Sequence, residues 1–450
     1  MVVLNYYEVT FKLNIVLLSG GSGKRLWPLS NDIRSKQFIK IFKTTEDQYE
    51  SMLQRTLKQI RRINDDLSIV VATSKTQETI LKKYIDDSIS ISVEPYRRNT
   101  FPSIALAAAY LHDIKKVDSN EPVVVCPVDP YVEDSFFIQF NELIKLISND
   151  TPLALMGIQP TYPSEKYGYI IPFSTESVSK VKTFKEKPDE QTAKQYIEAG
   201  ALWNGGVFAF KLSYVLDKAQ QTLGFSSYND LLHNYESLTN ISFDYAVVEH
   251  ESNIKVLRYN GEWKDVGTWN TLTEVMDNHY IGKVQADETC HNLHVINESD
   301  LPIICMGLND AIVAASPEGI LVSDKNKSSY IKPFVENIHQ HIRFAEKSWG
   351  SFKVIDVGDD NLTIKVTLNP NHKMNYHRHK YRREVWTVVE GTGLTIIDGV
   401  KKSLNHGDIV ELPVGCKHTV IAETKMVIIE VQLGKDIDVN DKVIFDFPNY

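Results

Sequence analysis

A glycine-rich turn early in the chain is the first segment whose residue types predict chemistry. Residues 19–25 (SGGSGKR) follow the apolar run 14–18 (NIVLL), which has the composition of a buried strand. Glycine lets the backbone bring its N–H groups close to a phosphate, and Lys24, Arg25 and Lys36 add positive charge where an anion would sit. The turn matches neither a Walker A loop nor G-x-G-x-x-G, so by itself it also fits an ordinary tight turn before a helix.

A second chemical pattern lies late in the chain. His377, His379 and Glu384 form H-x-H-x4-E, and His418 closes a later G-x5-P-x-G-x2-H. Two imidazoles two residues apart on a strand point to the same face, and neighbouring strands can add the other two ligands. Imidazole and carboxylate ligands suit Zn²⁺, Fe²⁺, Mn²⁺ or Ni²⁺. The pattern predicts a metal site, and a barrel without metal is the alternative.

The elements that must position these residues differ between the two halves of the chain. In the first half, apolar runs at 14–18, 68–72, 123–125 and 154–158 alternate with helical patterns at 48–63 and 102–113. Such alternation predicts a mainly parallel sheet with helices on both faces, and ligands bind at the carboxyl ends of its strands. After about residue 275 only short β runs remain, and turns recur from residue 350 onward as in a barrel or sandwich.

The bulk composition excludes several classes of protein. The chain has 450 residues, 42% hydrophobic and 24% charged, which predicts two or three globular domains. A formal net charge of −9 argues against a nucleic-acid partner, and no apolar run is long enough to predict a membrane span. The four cysteines are scattered without a C-x-x-C pair, which fits a reduced cytoplasm.

The glycine turn is part of a longer string that carries a family resemblance. Residues 20–30 (GGSGKRLWPLS), followed by Ser35-Lys36-Gln37, resemble the mannose-1-phosphate guanylyltransferases, which have GGxGxRLWPLS and then Pro-Lys-Gln. Ser35 replaces the usual Pro, Arg97 stands where Gly is usual, and Pro130 stands where His is common. Further segments match in the family's order: 94–100 (EPYRRNT), 127–129 (PVD), 167–170 (YGYI), 186–188 (EKP), 203–208 (WNGGVF), 244–249 (DYAVVE) and 263–269 (WKDVGTW).

The resemblance implies a reaction and roles for matched residues. In the family, a phosphate oxygen of a hexose 1-phosphate attacks the α-phosphorus of a nucleoside triphosphate, and pyrophosphate leaves. Such a transfer needs two anions held together and the developing charge neutralised. The implied residues are catalytic Arg25, Lys36, Asp129 and Asp265; nucleotide-binding Gly20, Gly21, Ser22, Gly23, Lys24, Arg98, Asn99 and Thr100; and sugar-phosphate-binding Gly168, Glu186, Lys187 and Asn204.

Two aspartates are the candidate ligands for Mg²⁺. Asp129 and Asp265 each end a β-type run, so both can reach one edge of the sheet. Carboxylate oxygens there would hold Mg²⁺ together with phosphate oxygens and waters. An isolated Asp after a strand is more often a turn former or a helix cap, so their place in the matched series carries this assignment.

The late histidine pattern matches the cupin signature. Many bacterial guanylyltransferases carry such a cupin with phosphomannose isomerase activity, and residues 349–352 (WGSF) resemble the WGSY that opens it. Of the family run QMHHHRxEHW, only His379, Arg382, Glu384 and Trp386 persist, which argues against retained isomerase activity. A set of metal ligands survives such changes more easily than a substrate pocket does.

The resemblance implies a three-part chain. The expected parts are a Rossmann-like α/β nucleotidyltransferase domain at 1–280, a short left-handed β-helix-like connector at 281–340, and an all-β cupin barrel at 341–450. The implied substrates are GTP and mannose 1-phosphate, with Mg²⁺ in the transferase site and Zn²⁺ or another divalent transition metal in the cupin. Self-association through residues 285–335 is left open.

Three alternatives remain at the level of sequence. The reaction could use another nucleoside triphosphate or hexose 1-phosphate, because a few hydrogen bonds decide base and sugar choice. The cupin could be a sugar-phosphate isomerase attached to a degenerate transferase domain. The chain could also be a sensor that binds sugar nucleotides without turnover, although Arg25, Lys36, Asp129 and Asp265 argue against that.

Overall fold

A nine-stranded sheet carries the first half of the chain. The computed structural model describes residues 13–21, 23–63, 67–338, 340, 342–435, 437 and 441–447. Contacts divide these described residues into two units: the first holds those up to residue 21 with 36–78 and 84–277, and the second holds 23–35, 79–83 and those from 278 onward. Within the described ranges, no helix is long and apolar enough to cross a membrane.

The elements of the first half follow one another as short strands and helices. The strands are β1 (Asn14–Leu18), β2 (Lys40–Lys43), β3 (Tyr49–Ser51), β4 (Ser68–Ser74), β5 (Ser90–Glu94), β6 (Pro122–Pro127), β7 (Pro130–Val132), β8 (Leu153–Ile158), β9 (Tyr169–Pro172), β10 (Val178–Lys185), β11 (Leu202–Lys211), β12 (Ile254–Tyr259) and β13 (Trp263–Asp265). The helices are α1 (Met52–Ile63), α2 (Glu78–Tyr84), α3 (Thr100–Ala109), α4 (Asp134–Lys145), α5 (Glu190–Glu198), α6 (Leu212–Leu223), α7 (Tyr228–His233), α8 (Phe243–Ala246) and α9 (Trp269–Thr273).

The large sheet has the order β5-β4-β1-β6-β11-β8-β12-β10-β9. β1 pairs in parallel with β4 and β6, β4 with β5, and β8 with β12. These pairings confirm the predicted α/β fold, and the antiparallel pairings of β9, β10 and β11 refine it to a mixed sheet. β1 is buried along almost its whole length, because strands covered on both faces have no polar side.

Helix positions follow from apolar faces and caps. The predicted helix at 48–63 begins only at Met52, and Tyr49–Ser51 is a strand instead. The reason is a capping box: Ser51 N donates to Gln54 Oε1 (3.1 Å), and Gln54 N donates to Ser51 Oγ (3.3 Å). The alanine-rich helix α3 is buried on all sides and packs in the main core with Phe208 and Phe243.

The connector follows as short strands and one short helix. They are β14 (Tyr280–Ile281), β15 (Val284–Ala286), β16 (His294–Asn297), β17 (Ile303–Cys305), β18 (Ala311–Ser316), β19 (Gly319–Asp324) and α10 (Lys332–Glu336). Successive turns of chain pair in parallel: β14 pairs with β16, β16 with β18, and β15 with β17. This stacking is the β-helix-like arrangement expected for the segment, around a small core that includes Leu293 and Val295.

The remaining strands form the cupin barrel. They are β20 (Phe344–Lys347), β21 (Gly350–Val357), β22 (Asn361–Leu368), β23 (His377–Arg378), β24 (Arg383–Glu390), β25 (Gly393–Ile397), β26 (Val400–Leu404), β27 (Ile409–Leu412), β28 (His418–Ala422), β29 (Met426–Leu433) and β30 (Val443–Ile444). They form a six-stranded sheet, β20-β21-β22-β29-β24-β27, and a five-stranded sheet, β26-β25-β28-β23-β30. Alternate residues point inward, and Trp386, Val420 and Ile428 fill the core between the sheets.

Candidate active site

A polar pocket of about 260 Å³ lies in the first unit. It brings together residues from segments that are far apart in sequence, including seven of the eight matched segments. Its lining consists of Lys36, Pro127, Asp129, Pro130, Lys166, Tyr167, Gly168, Glu186, Asn204, Gly205, Gly206, Asp244, Trp263 and Asp265. The pocket therefore brings the two predicted catalytic aspartates together with Gly168, Glu186 and Asn204, three of the four predicted sugar-phosphate-binding residues.

Lys36 is the electrostatic centre of this pocket. Its Nζ lies 2.6 Å from Asp129 Oδ2 and 3.5 Å from Asp265 Oδ1. Burial lowers the pKa of Lys36, but the two carboxylates outweigh burial and raise that pKa above its usual value. Lys36 therefore stays protonated, and the two carboxylates face one shared cation.

A two-stranded ribbon explains why the two aspartates meet. β13 pairs antiparallel with β7, and Asp265 lies opposite Pro130, the residue after Asp129. Gly267 then keeps the space open, because a Cβ there would lie 2.9 Å from Asp265 Oδ1 and 3.2 Å from Lys36 Nζ. The backbone thus fixes both carboxylates at one edge, as the sequence predicted.

The side of the pocket that holds the predicted sugar-binding residues is built from an amide and two carboxyl groups. Asn204 Nδ2 donates to Asp244 Oδ1 (2.6 Å), and Asn204 N donates to the carbonyl of Gly168 (2.8 Å). Burial and the nearby Glu186 charge raise the pKa of Asp244 to about 6. Gly168 has no room for a side chain, because a Cβ would lie 2.4 Å from Glu186 Oε2. Lys187 does not line the pocket and pairs with Glu186 instead.

Gly20 lies beside a buried carboxyl group. A Cβ on Gly20 would lie 2.9 Å from Glu94 Oε1, and Tyr235 Oη donates to Glu94 Oε2 at 3.0 Å. Burial raises the pKa of Glu94 to about 7. Gly21 is held nearby, since its carbonyl accepts from Gln77 Nε2 at 3.0 Å. Gly20 and Gly21 therefore lie against the polar side chains of Glu94 and Gln77, which hydrogen bonds hold in place.

The predicted nucleotide residues Arg98, Asn99 and Thr100 have local structural partners. Arg98 donates to the carbonyl of Glu236, with Nε at 3.0 Å. Asn99 has a left-handed backbone (φ 70°), and its side chain caps α3 by accepting from Thr100 N. Thr100 Oγ1 accepts from Phe243 N at 2.9 Å. These contacts shape the turn after β5.

The rest of the glycine turn belongs to the second unit. Gly23 is left-handed (φ 62°), and its carbonyl accepts from Leu26 N (3.0 Å) and Ser30 Oγ (2.6 Å). Lys24 pairs with Asp32 at 3.5 Å, and Arg25 is exposed. Ser22 lies outside the described residues.

The predicted cupin ligands converge inside the barrel. One ligand atom from each of His377, His379 and His418 lies within 4.8 Å of the others, and all three residues are buried. Each Nδ1 faces a backbone carbonyl, that of Asn375 (2.7 Å), Asp441 (2.5 Å) and Cys416 (3.1 Å) respectively. A carbonyl only accepts, so each Nδ1 carries a proton, and Nε2 is the ring nitrogen that could bind a metal once it carries no proton.

Glu384 joins the histidines from the opposite sheet. Its carboxylate lies 3.1 Å from His379 Nε2 and 3.4 Å from His418 Nε2, and Arg382 Nε donates to it at 3.1 Å. Burial raises the pKa of Glu384, but hydrogen bonds from the histidines outweigh burial and hold it well below its usual range. Arg382 Nη2 also lies 3.2 Å from His379 Nε2, so a metal at the cluster would displace that contact.

The sequence assigned no role to Asp244, Glu94 or Tyr235, whose polar contacts help to build these sites. Asp244 and Glu94 lie in segments that matched the family, so the motif was visible although no role was given to the carboxyl group. Tyr235 lies outside every matched segment, and only its contact with Glu94 connects it to the site.

Comparison with known proteins assigns both halves of the chain. Residues 14–280 match the Nucleotidyl transferase family, and residues 334–447 match the Mannose-6-phosphate isomerase C-terminal family. The mannose-1-phosphate guanylyltransferase of Salmonella montevideo is 30% identical over 96% of this chain and 98% of its own length. The alginate biosynthesis protein AlgA of Pseudomonas aeruginosa is 28% identical, with 95% of both chains covered.

A solved structure supports the fold assignment. A Thermus thermophilus protein described as a mannose-1-phosphate geranyltransferase superposes with a TM-score of 0.60 at 26% identity. It covers 72% of this chain and 99% of its own. Together with the near full-length relatives, these matches show that the chain belongs to the nucleotidyl transferase family, among mannose-1-phosphate guanylyltransferases that carry a mannose-6-phosphate isomerase C-terminal domain.

Proposed function

We propose that this chain joins GTP to mannose 1-phosphate and releases pyrophosphate, forming GDP-mannose. The observation that carries the proposal is the pocket in which Lys36, Asp129 and Asp265 meet beside Glu186, Asn204 and Asp244. The carboxylates would accept hydrogen bonds from sugar hydroxyls, and the amide would donate hydrogen bonds to them. Lys36 would attract the phosphates and stabilise charge that develops at the reacting phosphorus.

The two aspartates fit a magnesium ion. Their oxygens are the hard ligands that Mg²⁺ prefers, and both carboxylates are partly exposed, at 32% and 34%, so phosphate and water can complete the coordination. A bound Mg²⁺ would neutralise charge on the triphosphate. The triphosphate is proposed to be held by Arg25 and by the backbone N–H groups of Gly20, Gly21, Ser22 and Gly23. Further nucleotide contacts are proposed for Lys24, Arg98, Asn99 and Thr100. Lys187 is proposed to bind the phosphate of the sugar. The domain boundaries at 280 and 340 remain part of this proposal.

Pyrophosphate release across a substrate panel tests the proposal. Purified full-length protein is assayed with four nucleoside triphosphates, each paired with mannose, glucose and galactose 1-phosphates. We expect the highest kcat/KM for GTP with mannose 1-phosphate. If this pair is the poorest, the named substrates are wrong. Another preferred pair would establish the alternative transfer, and no turnover with any pair would favour the sensor.

A second proposed function is metal binding by the cupin. The observation in its favour is the convergence of three buried histidines, each with its Nδ1 on a carbonyl, beside Glu384. Imidazole nitrogens and a carboxylate suit Zn²⁺ or another divalent transition metal. Interconversion of mannose and fructose 6-phosphates by the metal-loaded protein tests the alternative isomerase, and we expect no turnover, because the run around His379 departs from the family.

A further inference from the structure

The segment after the glycine turn packs against the connector, inside the second unit. Residues 23–35, here the signature loop, include Arg34, which forms a bidentate ion pair with Glu298 of the connector. Nη1 lies 2.6 Å from Oε2 and Nη2 lies 2.9 Å from Oε1. Arg34 is buried, with 6% of its surface exposed. A buried two-point contact fixes orientation as well as distance.

A second carboxylate joins the loop to the strand that follows the connector. Glu318 Oε1 accepts from Asn31 Nδ2 at 2.9 Å and from the backbone N–H groups of Arg343 and Phe344, both at 3.0 Å. Asn31 Nδ2 also donates to the carbonyl of Phe344 at 2.9 Å. Glu318 is 7% exposed, and loss of its carboxylate would take this acceptor from the partly buried backbone N–H groups of Arg343 and Phe344.

The hairpin turn between β18 and β19 completes the contact. Ser316 Oγ donates to the carbonyl of Pro28 at 2.6 Å. Gly319 lies against the indole of Trp27, and a Cβ there would lie 2.5 Å from Trp27 Cζ2. We call Glu298, Ser316, Glu318 and Gly319 the loop clamp. The clamp touches residues 27–34, which follow the glycines themselves.

We propose that the loop clamp positions the signature loop for nucleotide binding, with Glu298 and Glu318 as positioning residues. The inference rests on the proposed transferase function. The loop carries Arg25 and leads directly into Lys36, two residues beyond Arg34. A loop ordered before the nucleotide arrives loses less conformational entropy on binding. The connector thereby contributes to nucleotide affinity without contacting the nucleotide.

Kinetics of full-length variants test the clamp. Glu298→Gln removes the charge that pairs with Arg34, and Gly319→Ala introduces a methyl group that would clash with the indole of Trp27. We expect each variant to raise KM for GTP on the order of tenfold or more, since small displacements of positioning groups are costly. We expect KM for mannose 1-phosphate to change less than about twofold, because its proposed ligands lie elsewhere. Asp300→Asn is the matched control, because it removes an exposed ion pair with Lys353 (2.5 Å) in the same unit.

Rescue separates positioning from general damage. The paired reversal Arg34→Glu with Glu298→Arg should recover much of the GTP affinity that either single reversal loses. If Glu298→Gln folds poorly, Glu298→Asp keeps the charge and gives the same comparison. Unchanged KM for GTP in folded Glu298→Gln and Gly319→Ala overturns the clamp, and so does an equal rise in both KM values. An inactive unmodified protein would overturn the proposed function instead.

Discussion

At the residue scale, the transferase pocket is an arrangement of one cation between two carboxylates. Lys36 contacts both Asp129 and Asp265, so the ammonium lies where a divalent ion and phosphates would gather. Glu186 and Asp244 form a second acidic group in the same pocket. Placing fixed charges before the substrates bind is how proteins stabilise charge that develops during phosphoryl transfer.

Asp265→Asn tests the catalytic role of this arrangement. The amide keeps the shape but removes one anionic ligand for Mg²⁺, so we expect kcat to fall by about a hundredfold or more. Circular dichroism should be unchanged, because Asp265 is partly exposed. Glu262→Gln is the control, since Glu262 is exposed and close in sequence but does not line the pocket. Unchanged turnover in Asp265→Asn would refute the metal assignment.

Glu94 makes stability depend on pH. Its folded pKa of about 7 lies above the ordinary 4.5, so the folded state holds the proton and stability falls as pH rises from about 4.5 to 7. Glu94→Gln removes this titration and keeps an acceptor for Tyr235. Across that window the unmodified protein should lose up to about 3 kcal/mol relative to the variant, at about 1.4 kcal/mol per pKa unit. Urea unfolding at several pH values measures this, and parallel curves would contradict it.

Much of the pocket could be predicted from sequence, and the remainder depends on contacts without a local signal. Asp129, Asp265, Gly168, Glu186 and Asn204 lie in motifs, and the structure brings them together. Lys187 also lies in a motif, yet it pairs with Glu186 outside the lining. Tyr235 was missed, because its contact with Glu94 joins residues 141 positions apart.

At the scale of elements, strand pairing decides which side chains meet. The β7–β13 ribbon brings Asp265 opposite Pro130, and the β23–β28 pair places His377 directly opposite His418. The apolar runs predicted as strands at 14–18, 68–72, 123–125 and 154–158 coincide with β1, β4, β6 and β8 to within a few residues. β3 was not predicted, because the expected helix was extended upstream to residue 48, although Ser51 and Gln54 mark the true helix start. The antiparallel pairing of β11 with β6 and β8 was also not predicted, because an apolar run indicates a strand but not the direction in which it pairs.

His418→Ala tests the cupin cluster that this pairing creates. We expect the unmodified protein, after incubation with Zn²⁺ and desalting, to retain about one ion per chain through imidazole and carboxylate ligands. The variant should retain far less, because it loses one of three converging imidazoles. His406→Ala, an exposed histidine of the same barrel, should bind as the unmodified protein does. Elemental analysis measures the content, and equal zinc in both variants would contradict the site.

At the scale of the whole molecule, the chain divides its signature motif between two units. Gly20, Gly21 and Lys36 belong to the first unit, whereas residues 23–35 belong to the second. The amino-acid sequence of residues 20–37 predicts one continuous phosphate-binding motif. The structure gives residues 27–34 partners in the connector, such as Glu298, which is 264 positions from Arg34. Contacts over such distances leave no local periodicity, so the sequence could not reveal them.

The most direct test of the central claim follows both products of one reaction. Full-length protein is incubated with GTP, mannose 1-phosphate and Mg²⁺, and GDP-mannose and pyrophosphate are quantified by chromatography and an enzymatic assay. We predict that the two products accumulate in equal amounts and that both disappear when Mg²⁺ is chelated. Pyrophosphate or phosphate released without the nucleotide sugar, or no product from protein that is folded, would contradict the account.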